Sequence, residues 1–550
     1  MIIDIHRKRA ASGQPGGFNL SSNNKKLTGA AIIVMASLVV SRITGYLRTI
    51  LINNLLTAAQ SDSLLAAFRT TDLMYNLLIG GAISAALVPV LSGYIAKDEE
   101  EDGWKAIGTF VNVVFVTMIG VCILGVIFAP AVVSMTASGL TGEKRELTIQ
   151  LTRILFPSVG FMMLAGITNG VLYSYKRFAS AAFAPSVYNL GTALSILILS
   201  RFGVRYVAFG VLASAIIYFI MQISFAWPNL KYYRPKILWK NQGFRRLFKL
   251  AIPSLAASAI AQINILISLN FISMFKNDGS ITAYYNANDL WQLPYGIFAM
   301  GLGTAILPTL SEKLALKKIG EFKEILDNGF RTILYLIIPS SVAFIVLSQP
   351  VVSVVYKWSQ VIGKERIITA GSILLLFTAA MIAQSMLALL NRAFYADNDT
   401  KTPLYIGTIS IALNFVFCYI FMKATDLGPA GMSLSYSIQS VVNMAIMMVI
   451  ISKRMNGMGW KKLLNYSLKL LGAAVIMGVV LFILNKFIPI DFTKPFAMHS
   501  KLTEISVLGI EIVVGASVYF AFTMLFKIDE AVAVKNKFIG KIKGLVKKHK

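Results

Sequence analysis

Long apolar runs recur along nearly the whole chain, and no other feature constrains the fold as strongly. Runs of about 20 residues, the length that crosses a bilayer as a helix, follow one another from residue 28 to residue 526. Only 14% of the 550 residues are charged, whereas a soluble domain keeps about a quarter of its residues charged. We therefore predict an all-α integral membrane protein.

The apolar runs predict about fourteen transmembrane helices. The predicted spans are residues 28–55, 63–95, 107–137, 148–172, 181–200, 206–226, 250–275, 281–311, 332–356, 367–391, 403–422, 429–452, 463–485 and 503–526.

Basic residues concentrate on one side of these spans. Of 52 Lys and Arg residues, 35 lie on the side of the two termini, 12 on the opposite side and five inside helices. This asymmetry is the positive-inside pattern and predicts a multi-pass protein of the bacterial cytoplasmic membrane with both termini cytoplasmic. The net charge of +27 is therefore interpreted as topology and contact with anionic membrane lipids, and we expect no nucleic-acid partner.

An internal repeat divides the chain into two similar parts. Asn76–Ser92 resembles Tyr295–Ser311, and further matches continue at almost the same offset, near 220 residues. Six predicted helices per repeat give two parallel copies, which form an N-lobe and a C-lobe with a cleft between them. The matched pairs are Pro89 and Pro308, Phe156 and Phe377, Tyr175 and Tyr395, and Gly210 and Gly431.

The repeat and the spans together predict the domain organisation. The predicted segments are a disordered cytoplasmic tail (1–27), the N-lobe (28–228), a cytoplasmic linker (229–249), the C-lobe (250–452), two extra C-terminal helices (453–527) and a basic cytoplasmic tail (528–550).

Charged residues inside the membrane concentrate in the first two predicted spans. Arg42, Arg48, Arg69 and Asp72 lie within them, and Asp62 lies at their outer connection. Because an intramembrane charge costs several kcal/mol, it normally faces a cavity or a partner. Guanidinium groups match phosphate oxygens, so these residues predict a cationic site for a phosphate or diphosphate group. Gly45, between the two arginines of the first span, permits close approach of a helix or ligand.

Some of these charges have structural alternatives. Arg69 and Asp72 are three residues apart on one helix face, so they either neutralise each other or take part in binding. Arg42 and Arg48 have no acidic neighbour in sequence, and Asp289 could supply one from across the cleft.

The segment Asn391–Pro403 predicts a tight cytoplasmic turn that opens a helix at Thr402 and Pro403. We expect Asp397 and Asp399 to balance Arg392 and Lys401, either as a locally paired hinge or as an element that couples the conformation of the two lobes. 

The sequence carries no pattern typical of an enzyme. It has no Walker motif, no prenyl-diphosphate motif rich in Asp and no Ser/His/Asp arrangement. Two Cys and three His form no metal-ligand cluster, so we expect neither a metal nor a cofactor. Cys122 and Cys418 fall inside predicted helices and are interpreted as packing residues rather than a disulfide.

Three separated motifs resemble the lipid II flippase family (MurJ, also called MviN). They are Ser41-Arg42-x-x-Gly45-x-x-Arg48 with the downstream Asp62 and Ala67-Phe68-Arg69, the stretch from Gln292 to Pro308, and the stretch from Arg392 to Pro403. The similarity covers about residues 28–450. It implies the fold of the multidrug/oligosaccharidyl-lipid/polysaccharide exporter superfamily.

The resemblance also implies a substrate and a site. The substrate is lipid II, undecaprenyl diphosphate bearing the peptidoglycan disaccharide-pentapeptide, and a cationic central cavity binds its diphosphate. Where the family often has an Asp-Arg pair in the eighth helix, this chain reads Asn288-Asp289. The predicted substrate-binding residues are Ser41, Arg42, Gly45, Arg48, Asp62, Arg69 and Asp289.

The function predicted from the sequence is therefore translocation of lipid II from the inner to the outer leaflet by alternating access. Three alternatives stay open. One is a flippase for another polyprenyl-diphosphate-linked oligosaccharide, and a second is a drug or cation antiporter of the same superfamily. The third is a non-transporting scaffold for cell-wall synthases, which are also candidate partners of a flippase.

Overall fold

The secondary structure that the computed structural model describes is entirely helical. It describes residues 37, 40–79, 87–177, 180, 183–397, 399–491, 494–532 and 535–536. Within these ranges, ten helical stretches are long and apolar enough to cross a membrane. The all-helical membrane fold is thus confirmed, whereas the count of fourteen spans stays a prediction. The predicted tail 1–27 and most of the basic tail 528–550 lie outside the described residues.

The N-lobe consists of eight described helices. They are α1 (40–55), α2 (Ala58–Ile79), α3 (Val88–Ile95), α4 (Glu100–Ile127), α5 (Ala129–Thr136), α6 (Gly142–Ser174), α7 (Ala184–Leu199) and α8 (Val204–Ala226).

The C-lobe and the two helices after it continue the chain. They are α9 (Gln242–Ser273), α10 (Ser280–Pro294), α11 (Gly301–Ala315), α12 (Ile319–Tyr356), α13 (Lys364–Ala396), α14 (Lys401–Ala424), α15 (Ala430–Arg454), α16 (Trp460–Phe487) and α17 (Met498–Leu525).

The two lobes share one packing pattern. In the N-lobe, α6 packs against α2, α4 and α8, and α7 packs on α8. In the C-lobe, α13 packs in the same way against α10, α12 and α15, and α14 packs on α15. Phe156 and Phe377, a matched pair of the sequence repeat, are buried in the two central helices. Helices α16 and α17 attach to the C-lobe through α12.

Several predicted spans differ from the observed helices at their ends or in their middle. The predicted span 107–137 divides into α4 and α5, because Phe128 leaves the helical conformation just before Pro130 in the first turn of α5. The predicted span 281–311 contains a π-helical segment at Tyr295–Met300, directly after Pro294. The predicted linker 229–249 is partly helical, since Asn241 caps α9, which begins at Gln242.

The turn before α14 has different ion pairs from those predicted. Asp399 accepts hydrogen bonds from the backbone N–H of Lys401 and from the N–H and hydroxyl of Thr402, so it caps the helix. Arg454 on α15 lies 3.2 Å from Asp397 and 2.5 Å from Asp399. The expectation that Arg392 and Lys401 balance these carboxylates was wrong, because the long side chain of Arg454 reaches them from the neighbouring helix.

Several connections between helices meet at one end of the bundle. There Lys144, in the first turn of α6, contacts both Asp62 and Asp278, and Lys357 donates to the carbonyl of Lys494. We call this the outer end, because the basic-residue count predicts it to face outside. Cys122 and Cys418 are free thiols, as predicted.

Candidate functional site

Three arginines of α1 and α2 lie at the boundary between the lobes. The Arg69 guanidinium stacks 4.1 Å from the ring centroid of Tyr285 on α10, and its Nη2 lies 4.0 Å from Asp289 Oδ1. Arg42 is exposed, and its Nη2 lies 3.8 Å from the position that a Cβ on Gly296 would take. These contacts bring α2 against α10, and α1 against the π-helical segment Tyr295–Met300.

A cavity lies beside two of these arginines. It is small, with a volume of about 20 Å³, and its lining includes Arg48, Arg69, Asp72, Asn286 and Asp289. The Nε of Arg48 is buried and has no hydrogen-bond partner among the described residues. With Arg42 nearby, three guanidinium groups face two carboxylates, so the region carries a formal excess of positive charge.

Asp289 is the carboxylate closest to Arg69. The sequence left open whether Arg69 and Asp72 neutralise each other. Among the described residues, Arg69 instead forms its ion pair with Asp289 of the other lobe. Tyr46 on α1 donates a hydrogen bond of 2.7 Å to the backbone carbonyl of Asp289, which ties this part of α10 to the N-lobe. Asp289 thus contacts α1 through its backbone carbonyl and α2 through its carboxylate.

Ser41 and Gly45 occupy a different position from the arginines. The Asn189 side chain on α7 donates to the carbonyl of Ser41, at 3.4 Å. A Cβ on Gly45 would lie 3.7 Å from the same Asn189 amide. Both residues therefore contact the N-lobe's own α7, and Gly45 permits the close approach of a helix that was predicted as one of its two roles.

Asp62 joins the lobes at the outer end, and we call its contacts the latch. Its Oδ1 accepts from the backbone N–H (2.8 Å) and the hydroxyl (2.7 Å) of Thr282, and its Oδ2 accepts from the backbone N–H of Gly279 (2.8 Å). Lys144 also donates to Oδ2, at 2.8 Å, and to Asp278 at 3.0 Å. The Asp62 carboxylate is fully buried, so the latch uses all of its acceptors away from solvent.

A second layer of hydrogen bonds closes the lobes just below the latch. Asn53 and Asn286 exchange amide hydrogen bonds of 2.8 and 3.0 Å. Asn54 donates to the Tyr356 carbonyl and accepts from the Trp358 backbone N–H, each at 2.7 Å. These helix-to-helix amide contacts extend the closed region from the latch toward the arginines.

At the other end of the cleft, Phe244 and Leu247 of α9 are buried in one cluster with Trp104 of α4. Among the described residues, the hydrogen bonds between the N-lobe and the C-lobe lie between the outer end and the depth of Asp289. The matched prolines Pro89 and Pro308 are both exposed. A Cβ added at Gly93 or Gly301 would meet no described atom within 4 Å.

Several residues of this site were not predicted. Lys144, Gly279 and Thr282 complete the latch, and Arg366 lies directly behind Gly279. From the sequence, Lys144 and Arg366 are recognisable only as basic residues of the predicted outer side. Because that side has few basic residues, their positions near the starts of two spans could have indicated a role.

The fold and the site together define a class. Two parallel helical bundles with a charged cavity between them, joined by hydrogen bonds at one end, are typical of membrane transporters that carry their substrate through the boundary between the lobes.

Comparison with known proteins identifies the family within this class. The family described as "Lipid II flippase MurJ" matches residues 52–503. A relative named "Probable lipid II flippase MurJ" from Vibrio cholerae serotype O1 is 29% identical over 440 residues, which cover 77% of this chain and 82% of the relative. The chain belongs to the lipid II flippase MurJ family.

Solved structures agree with this assignment. The structure titled "Lipid II flippase MurJ, inward closed conformation" matches with a TM-score of 0.74 and 24% identity, over 90% of this chain and 99% of that one. An inward-facing multidrug resistance transporter of the MATE family and MOP superfamily matches with a TM-score of 0.65 and 15% identity, over 78% of this chain and 98% of that one. These matches concern the fold.

Proposed function

We propose that this protein moves lipid II from the inner to the outer leaflet of the bacterial cytoplasmic membrane by alternating access. One observation carries the proposal: Arg42, Arg48 and Arg69 converge at the boundary between two lobes, beside a cavity. Guanidinium groups bind phosphate oxygens through two parallel hydrogen bonds, and such contacts are strong away from bulk water. The diphosphate of lipid II is the anionic group that this site would hold.

The three arginines are not equally available to a substrate. Arg48 has a buried Nε without a partner among the residues that the structure describes, so it offers a donor that breaks none of their hydrogen bonds. Arg69 faces Asp289 at 4.0 Å, so an incoming phosphate must compete with that carboxylate. Arg42 is exposed and offers the first contact. We infer that the diphosphate meets Arg42, then Arg48, and that it displaces Asp289 from Arg69 last.

The closed latch fits the inward-accessible step of such a cycle. In this step the headgroup enters from the cytoplasmic side, while the polyprenyl tail stays in the lipid between the lobes. Rocking of the lobes then separates Asp62 from α10 and opens the outer end. Ser41 and Gly45 act in this proposal by holding α1 against α7, so that the arginines between and beside them keep their positions.

The proposal includes an orientation and an energy source. With both termini cytoplasmic, the outer end faces the side that the membrane potential makes positive. Moving one elementary charge across the membrane is worth about 2.3 kcal/mol per 100 mV. The potential therefore favours outward movement of the anionic headgroup.

Transport of labelled lipid II into the outer leaflet of proteoliposomes, with and without an imposed potential, tests the proposal directly. We expect transport by the wild type, acceleration when the far side is positive, and loss of transport in Arg48→Ala. Arg153→Ala is the matched control, because Arg153 is an exposed arginine that contacts the carbonyl of Val126. Normal transport by an Arg42→Ala/Arg48→Ala double variant contradicts the proposal.

Substrate choice requires a second comparison. A flippase for another polyprenyl-diphosphate-linked oligosaccharide would use the same arginines, so complementation of strains depleted of one flippase at a time separates the two. A scaffold for cell-wall synthases would instead keep its function when Arg48 is replaced.

One observation favours a cation antiporter as a second candidate, since Asp72 and Asp289 both line the cavity. An antiporter needs these carboxylates and not the arginines. Asp289→Asn would then abolish transport of an organic cation, whereas our proposal expects lipid II transport to continue in that variant.

A further inference from the structure

Arg366 is a buried arginine without a hydrogen-bond partner at the outer end. It lies in the first turn of α13, is 9% exposed, and its Nε, Nη1 and Nη2 are all buried and unpaired among the described residues. An unpaired buried guanidinium is costly, so it requires a compensating group. The Asp62 carboxylate attracts it electrostatically.

Arg366 lies against the residues that hold Asp62. A Cβ on Gly279 would be 3.0 Å from the Arg366 Nε, and the Gly279 N–H donates to Asp62. The same carboxylate accepts from the N–H and hydroxyl of Thr282, in the first turn of the 15-residue helix α10. Helix N-termini bind anions through such free N–H groups and through the helix dipole. Asp62 thus occupies an anion site whose backbone N–H and hydroxyl donors belong to the C-lobe, and Lys144 adds a donor from the N-lobe.

Opening of the outer end must empty this site. Asp62 and Lys144 belong to the N-lobe and leave as a pair, because their own contact of 2.8 Å lies within one lobe. The C-lobe keeps the N–H groups of Gly279 and Thr282, the Thr282 hydroxyl and the unpaired Arg366. Three helix-end donors and a guanidinium then lose the Asp62 carboxylate, and Asp278 loses its contact with Lys144.

We propose that these groups form an outer phosphate site, made of Gly279, Thr282 and Arg366, which Asp62 fills while the outer end is closed. The diphosphate of the departing substrate enters the site as the end opens. This inference rests on the proposed function for the identity of that substrate. The site would bind a phosphate or diphosphate group. An anion that fills it keeps Asp62 from returning and holds the outer end open.

Binding of inorganic diphosphate to the full chain in lipid nanodiscs tests the site. The background variant is Asp62→Ala, which removes the resident carboxylate, and the comparison is Asp62→Ala/Arg366→Gln. The central arginines are the same in both chains, so the difference reports on Arg366. We expect Arg366→Gln to weaken binding at least tenfold and Arg145→Gln, an outer-end arginine that contacts Ser134, to change it less than twofold.

Equal affinity with and without Arg366 overturns the site. Because replacement of a buried arginine can prevent folding, thermal unfolding is measured for each variant. If Arg366→Gln does not fold, diphosphate binding is measured with Arg366→Lys instead, because lysine keeps the charge and loses the planar fork of donors. A loss of threefold or more in that variant supports the site, and unchanged binding overturns it.

Opening of the outer end, measured on the chain with Asp62 intact, distinguishes a lipid-linked diphosphate from a free one. Spin labels at Glu143→Cys and Lys276→Cys, exposed residues on opposite lobes, report the opening of the outer end in a background without Cys122 and Cys418. We expect undecaprenyl diphosphate to raise the open population, and to lose this effect in Arg366→Gln. A response to inorganic diphosphate but not to the lipid-linked form overturns the substrate's use of the site.

The two proposals fail in different ways. Absence of lipid II transport by the wild type, with diphosphate binding that still depends on Arg366, contradicts only the proposed function. Transport of lipid II at an unchanged rate in Arg366→Gln, with unchanged gate opening, contradicts only the outer phosphate site.

Discussion

The substitution Asp62→Asn is the sharpest test of the latch, because it keeps the shape of the side chain and changes its donors. The carboxylate accepts four hydrogen bonds of 2.7–2.8 Å and is fully buried. An asparagine carbonyl can still accept from Thr282. Its NH2 group, however, would face the Gly279 N–H and the Lys144 ammonium, which are both donors.

The expected effect is large. Removal of one partner from a buried ion pair costs about 3–5 kcal/mol, and each 1.4 kcal/mol is a factor of about ten in an equilibrium constant. We therefore expect Asp62→Asn to shift the equilibrium between closed and open outer ends by roughly 100-fold or more toward the open form. Because a cycle needs both forms, lipid II transport should fall at the same time.

Distance distributions between spin labels at Glu143→Cys and Lys276→Cys measure this equilibrium without substrate. The comparator is Asp278→Asn, whose carboxylate contacts the same Lys144 but is 56% exposed. An exposed pair contributes below about 1 kcal/mol, so this variant should shift the distribution only slightly. If Asp62→Asn and Asp278→Asn give the same distribution as the parent chain, the latch does not hold the outer end closed.

Three further substitutions test other parts of the structure. Gly279→Ala should destabilise the protein by about 1–2 kcal/mol, seen as a lower unfolding midpoint, since this glycine has φ +91° and a Cβ would lie 3.0 Å from Arg366. Burial opposes the charge of Asp399, yet hydrogen bonds from Thr402 and Arg454 lower its pKa to about 2. Its stabilising contribution is therefore complete above about pH 4 and lost as pH falls through 2, so Asp399→Ala should cost about 1 kcal/mol at pH 7 and progressively less as pH falls from about 4 through 2. Phe377→Ala removes a fully buried ring at the centre of the C-lobe and should cost about 3–5 kcal/mol in the same unfolding assay.

The membrane fold could be predicted because its causes are local in sequence. Each span follows from the transfer of about 20 apolar residues into hydrocarbon, and each predicted span overlaps a described helix. The repeat was visible because matched residues such as Phe156 and Phe377 keep one offset. Helix ends were less certain, since α9 and α12 extend by a turn or more into polar segments that hydropathy does not assign to a span.

The contacts between the lobes could not be predicted in the same way. The pairing of Arg69 with Asp289 depends on how two bundles more than 200 residues apart face each other. Asp399 and Arg454 show the same limit, because a partner close in sequence was available and the observed one is on another helix. Sequence distance is a poor guide to ion pairs when long side chains reach between packed helices.

The two interlobe carboxylates share a physical role that connects the cavity with the latch. Asp289 lies beside Arg69 in the cavity, and Asp62 lies among the donors of α10 with Arg366 behind them. Each protein carboxylate thus fills a cationic site on the opposite lobe that a phosphate group could also fill. An empty cationic site inside the membrane is costly, so these carboxylates stabilise the substrate-free protein. A diphosphate that replaces Asp289 at Arg69 and later Asp62 near Arg366 would exchange one anion for another at each step, so neither cationic site would be left without an anion as the substrate moves outward.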